Sequence, residues 1–203
     1  MLLRILFMSV LLAVSAAASA GTILVFGDSL SAGYGLPQDK SWVRLLETRL
    51  RDEKLDYTVA NASVSGETTG GGVRRMPDAL KQHQPDIVVI ELGANDGLRG
   101  QNLDVMRQNL ETMIDASRKA KAQVLLVGMR LPPNYGMSYT EKFRQTYADV
   151  ARMKRTAFVP FLFEGFGEDG RYFQPDRVHP TSEAQALMLD TVWKGLKPLL
   201  NRR

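Results

Sequence analysis

The chain has 203 residues, with 26 Lys and Arg against 22 Asp and Glu, a net charge of +4, and no cysteine. That length suits one domain with a sizeable core. The lack of cysteine excludes disulfides, thiol nucleophiles and thiolate metal sites. The scattered charge, with no run of five like charges, gives nucleic-acid binding no footing.

Residues 1–20 read as a secretory signal peptide. Arg4 supplies the positive start, residues 5–14 the apolar core, and Ala18-Ser19-Ala20 a small-x-small cleavage site before Gly21. Even extended through Ala18, the apolar stretch falls short of the ~20 residues of a spanning helix. Gly21 also stands where a lipid anchor would need cysteine. The expectation is a single domain over 21–203, exported to the periplasm as a monomer without a stable membrane span. Secretion or peripheral attachment to a membrane stays open.

Beyond the leader, apolar runs at 22–28, 57–62, 86–92, 123–129 and 157–163 read as strands. Most are nearly continuous in Val, Ile, Leu and Phe, as in parallel strands covered on both faces. Between them, helical spacing links Trp42, Leu45, Leu46 and Leu50, then Val73, Met76 and Leu80. It also links Leu103, Met106, Leu110, Met113 and Ile114, then Phe143, Tyr147, Val150 and Ala151. A last helix is expected from Thr181-Ser182-Glu183, capped by hydroxyls, toward Pro198. Five such βα units predict a three-layer α/β fold. Periodicity leaves the strand order open. Segments 63–72, 131–139 and 164–180 break the alternation and read as long functional loops. Ligands of open α/β sheets gather at the carboxyl ends of the strands. Ser29, segment 63–72, Gly93-Ala94-Asn95-Asp96 and segment 131–139 all follow strand-like runs, so they are expected on one edge.

Ser29, in Gly27-Asp28-Ser29-Leu30, is a candidate nucleophile where the first strand gives way to a loop. An alcohol needs a base, and histidine is the usual one. The chain has two, His83 and His179. His83 precedes a strand, on the opposite edge. His179 follows the last strand, on the edge of Ser29. Asp176, three residues earlier, could reach one imidazole nitrogen through a tight turn and leave the other for Ser29. Taken alone, an Asp-x-x-His fits a loop-shaping role better; a serine on the same edge tips the balance toward catalysis. Acyl transfer also needs donors for an oxyanion. Gly66 after the second strand, Asn95 after the third, and the Ser29 N–H could supply them, although each loop taken singly fits plain turn formation better.

Together, Gly27-Asp28-Ser29-Leu30, Gly66, Gly93-Ala94-Asn95-Asp96 and Asp176-Arg177-Val178-His179 match, in order and spacing, a known pattern. The chain resembles the SGNH (GDSL-type) hydrolase superfamily over nearly all of 21–203. The resemblance implies a flavodoxin-like five-stranded parallel sheet and a serine esterase without metal or cofactor. It implies Ser29 as nucleophile, His179 as base and then acid, and Asp176 as its orienting partner. It implies an oxyanion hole of Ser29 N–H, Gly66 N–H and the Asn95 side chain. The family's substrates are small: aryl and alkyl esters, acyl-CoA thioesters and lysophospholipids.

Loop 131–139, with Leu131, Pro132, Tyr135 and Met137, is expected to form a wall for an acyl chain, and Leu98 and Arg99 are expected to border the same pocket. Esters of O-acylated sugars or peptidoglycan are the rival substrates. Two other classes are open to test. Asp28, Asp96, Asp176 and His179 could be imagined as hard-metal ligands of a phosphoesterase. A non-catalytic binding module is the other, but Gly70-Gly71-Gly72 lacks the lysine and hydroxyl of a phosphate loop and reads as a close helix start. Glu91, inside the third strand-like run, is expected to be paired or at a sheet edge and has no assigned role.

Overall fold

The computed structural model describes residues 20–37 and 39–200. Nearly all of the expected leader therefore lies outside the described residues. The elements run β1 (Gly21–Gly27), α1 (Ser29–Ala32), α2 (Trp42–Asp52), β2 (Tyr57–Asn61), α3 (Thr69–His83), β3 (Ile87–Glu91) and α4 (Ala94–Leu98). They continue with α5 (Leu103–Lys119), β4 (Gln123–Val127), α6 (Met137–Lys154), β5 (Ala157–Val159) and α7 (Ala184–Leu200).

All five strands pair in parallel, in the order β2-β1-β3-β4-β5. This is the flavodoxin-like order, whose switch point lies between β1 and β3. The continuous apolar runs have their cause here. Ile23 to Phe26 and Ile87 to Ile90 are fully buried, because helices cover both faces. Helices α3, α5 and α6 pack together in one layer, and α2 and α7 in the other. The stripes read from the sequence point inward: Trp42, Leu46, Met76, Leu110, Met113, Phe143 and Tyr147 are all buried.

Three details differ from the expectation. The fifth strand has three residues rather than seven, because Pro160 lacks the N–H a ladder needs. The chain turns there, and Leu162 N–H bonds back to the Gly128 carbonyl. Helix α7 starts at Ala184, and the Thr181 hydroxyl donates to the Glu183 carboxylate. It also runs on past Pro198. Its last carbonyls, on Leu199 and Leu200, accept from Gln123 Nε2 at 3.1 Å and Tyr57 Oη at 2.6 Å, which anchors the end. Among the described residues, no helix is long and apolar enough to cross a membrane.

Candidate active site

Gly27 ends β1 and Ser29 opens the single turn of α1, so the serine stands on a helix start rather than in a loop. Asp28 caps that turn. Its Oδ1 accepts from Leu30 N–H at 3.0 Å, and its Oδ2 accepts from Asn95 Nδ2 at 3.0 Å. Asp28 is buried, and burial lifts its carboxyl from 3.8 to about 6 against the lowering pull of Leu30 N–H, His179 and Asn95.

His179 reaches Ser29 from the loop after β5. A bridge between Phe173 and Pro180, with Gln174 N–H donating to the His179 carbonyl at 2.8 Å, closes that loop. Inside it, Arg177 takes a left-handed φ of 57° and turns the chain back. Asp176 Oδ1 accepts from the N–H groups of Val178 and His179, at 2.9 and 3.0 Å. Its Oδ2 lies 2.7 Å from His179 Nδ1, and His179 Nε2 lies 2.9 Å from Ser29 Oγ. A carboxylate can only accept, so Nδ1 carries the proton and Nε2 is left to accept from the serine hydroxyl. The His179 backbone N–H, then its ring and the Val178 N–H, hold the Asp176 carboxyl at about 2.

The other loops converge on the same point. Gly66, exposed in a turn with φ 77°, has its carbonyl held by Arg99 Nη2 at 2.9 Å. Asn95 stands in the first turn of α4 at the end of β3. Its Nδ2 donates to Asp28 Oδ2 and to the Glu67 carbonyl, both at 3.0 Å. The amide thus joins the loops after β1, β2 and β3. Asp96 is buried beside it, and its two oxygens accept from the N–H and hydroxyl of Thr69 at the start of α3.

The expected pocket residues divide. Tyr135 Oη donates to the Leu98 carbonyl at 3.0 Å, and Tyr139 Oη to the Gly97 and Gln101 carbonyls. Leu131 packs against Gly97, where a Cβ would lie 2.9 Å from Leu131 Cδ2. Segment 97–101 and loop 131–139 therefore pack against each other. Pro132 is exposed, and Met137 is 87% exposed at the start of α6. His83 ends α3 on the opposite edge. Of the residues imagined as metal ligands, Asp28 and Asp96 have both carboxylate oxygens engaged by protein donors.

Glu91, expected to be paired or at an edge, is paired, although the sequence assigned it no role. It ends β3, an interior strand, so it is at no sheet edge. The side chain is fully buried, and its Oε2 accepts from the Ser31 hydroxyl at 2.7 Å. Burial first, and the nearby Asp28 second, hold its carboxyl well above the usual range. The available signal was one acidic residue closing a run of four apolar ones.

Residues 25–187 match the model of the GDSL-like lipase/acylhydrolase family. The chain belongs to that family. Among its GDSL-like relatives, esterase TesA of Pseudomonas aeruginosa is 50% identical over 90% of this chain and 91% of its own. Thioesterase 1/protease 1/lysophospholipase L1 of Escherichia coli K12 is 39% identical over 96% of this chain and 92% of its own. A crystal structure of the psychrotrophic esterase EstA from Pseudoalteromonas sp., inhibited by monoethylphosphonate, superimposes with a TM-score of 0.85 at 38% identity. It covers 90% of this chain and 100% of that one. Contacts join three of the four sequence blocks: Ser29 and Asp28 in the first meet His179 of the last and Asn95 of the third.

Proposed function

We propose that this protein hydrolyses carboxylic esters and thioesters, with Ser29 as nucleophile, His179 as general base and acid, and Asp176 as the carboxylate that orients the imidazole. The observation that carries the proposal is the contact chain Asp176 Oδ2–His179 Nδ1 at 2.7 Å and His179 Nε2–Ser29 Oγ at 2.9 Å. His179 Nε2 takes the hydroxyl proton as Ser29 Oγ attacks the acyl carbon. Asp176 stabilises the imidazolium without taking its proton. The bond to the alcohol or thiol breaks, and His179 protonates that leaving group. Water then attacks the acyl-enzyme, gives its proton to His179, and the acid departs as Ser29 recovers its proton.

The developing oxyanion needs donors already in place. Ser29 N–H, Gly66 N–H and the Asn95 amide are the candidates. At rest both Asn95 amide hydrogens have protein acceptors. An oxyanion is a stronger acceptor than a peptide carbonyl, so it competes for the hydrogen held by Glu67. The wall of Leu98, Arg99, Leu131 and Tyr135 supports an acyl chain on the side of β3 and β4. Substrates of the aryl-ester, acyl-CoA and lysophospholipid classes share that acyl half. The signal-peptide pattern of residues 1–20 supports a periplasmic setting for this chemistry, which fractionation of expressing cells checks.

The decisive variant is Ser29→Ala. It should fold normally, lose labelling by a fluorophosphonate, and lose p-nitrophenyl ester turnover by at least about 10³-fold. Substantial remaining turnover would end the proposal. A rate panel over short and long p-nitrophenyl esters, acyl-CoAs, lysophospholipids and acetylated sugars then ranks the substrate classes.

A further inference from the structure

Tyr34 is a large aromatic residue left 53% exposed, yet its backbone is tied down on both sides. Its N–H donates to the carbonyl of Ser29 at 3.1 Å. Its own carbonyl accepts from Gln174 Nε2 at 3.0 Å. The same Gln174 amide donates to the Pro180 carbonyl at 3.1 Å. Gln174 therefore links the segment that bears Ser29 to the loop that bears His179. The following residue, Gly35, has φ 72°, and a Cβ there would collide with the Gln174 side chain.

What this tie holds in place is the Tyr34 ring. It lies against the His179 imidazole, with ring centroids 4.5 Å apart and planes tilted by 38°. The rest of the ring faces solvent, where it contributes no core packing. Its position relative to the reaction is informative. His179 Nε2 must hand its proton to the departing oxygen or sulfur, so the leaving group lies beside the imidazole. The proposed function assigns the acyl chain to the segments that bear Leu98, Leu131 and Tyr135, which leaves the imidazole side to the leaving group.

We infer that Tyr34 determines leaving-group specificity: its exposed ring, held against His179, receives aromatic leaving groups and favours aryl esters over alkyl esters of the same acid. The inference rests on the serine-esterase reading given above. Aromatic pairs prefer offset or edge-to-face contact and gain stabilisation beyond simple burial. An alkyl alcohol of the same acidity has no ring to offer.

The test compares phenyl butyrate with hexafluoroisopropyl butyrate, whose leaving groups are similar in acidity. Both esters form the same butyryl-enzyme, so kcat/KM isolates the step in which the leaving group departs. Tyr34→Phe should keep the aryl-to-alkyl ratio of kcat/KM. Tyr34→Ala should lower that ratio about three- to tenfold. Tyr34→Leu, which keeps apolar bulk but no ring, should lower it as well and stands in if the alanine variant folds poorly. An equal loss on both esters would make Tyr34 a mere support for His179 and overturn the inference. An unchanged ratio in both ring-less variants would overturn it too. Failure of the underlying reading shows separately, as parent enzyme that neither takes up fluorophosphonate at Ser29 nor turns over either ester.

Discussion

Asn95 offers two amide hydrogens, and at rest Asp28 and the Glu67 carbonyl accept both. If one of them transfers to the oxyanion, the gain appears only as charge develops in the transition state. Asn95→Ala should therefore lower kcat by about 10²–10³-fold with a much smaller change in KM. Steady-state rates on one p-nitrophenyl ester decide this, and a pure KM effect would make Asn95 a substrate-binding residue instead. The candidate residues were legible in sequence for a chemical reason. A serine nucleophile needs a base, the chain has two histidines, and only one follows a strand. The contacts that hold these residues were not legible. Nothing in the order of letters links Gln174 to Tyr34, or Asn95 to Asp28 and Glu67, because those bonds join segments from different strand ends. Glu91 was hidden for a related reason. Acidic residues are ordinarily on the surface, and the groups that accommodate this one, the Ser31 hydroxyl and the Asp28 backbone, lie about 60 positions away.

Among the elements, α3 depends on close approach to the sheet. A Cβ on Gly72 would lie 2.6 Å from Leu92 Cδ1 and 2.9 Å from Met113 Sδ. Gly72→Val should push the helix start outward and destabilise the fold by about 1–3 kcal/mol, the usual cost of overpacking. A urea titration measures this, and an unchanged midpoint would mean that α3 can shift freely. Gly71 is crowded as well, by the Glu67 side chain, so two of the three glycines have a packing purpose, whereas Gly70 makes only ordinary contacts. Long elements were legible because four or five apolar residues at one spacing outweigh any local exception. Short ones were not. Helices α1 and α4 have 4 and 5 residues, too few to show a period, and yet they carry Ser29 and Asn95. The end of β5 was misplaced because Phe161, Leu162 and Phe163 continue the apolar run beyond Pro160. Leu162 and Phe163 are buried, but in a loop rather than a ladder.

At the scale of the whole molecule, buried carboxyls tie stability to pH. Asp28 is raised from 3.8 to about 6 and Glu91 lies well above its ordinary value, so the folded state binds their protons more tightly than the unfolded chain. For Asp28 the resulting stabilisation is complete below pH 3.8 and is lost as pH rises through about 6. Asp176 has the opposite sign: held at about 2, its contribution is present above 3.8 and is lost as pH falls through about 2. Replacing Asp28 with Asn removes the first dependence. The stability of Asp28→Asn relative to the parent should therefore improve by about 2 kcal/mol between pH 4 and pH 7. Urea unfolding at both pH values measures it, and a difference that does not change with pH would contradict the assignment. The sequence by itself determined the layered α/β class, the common edge of the four blocks and the small set of residues able to do acyl transfer. Those follow from local periodicity, from the direction of parallel strands and from the scarcity of bases. Only the tertiary structure decided the order β2-β1-β3-β4-β5 and the meeting of Ser29 with His179 across 150 positions. It also decided the burial of Glu91 and the ring of Tyr34 against the imidazole. Each depends on which strands become neighbours, and strand neighbours are chosen by packing over the whole sheet rather than by any one segment.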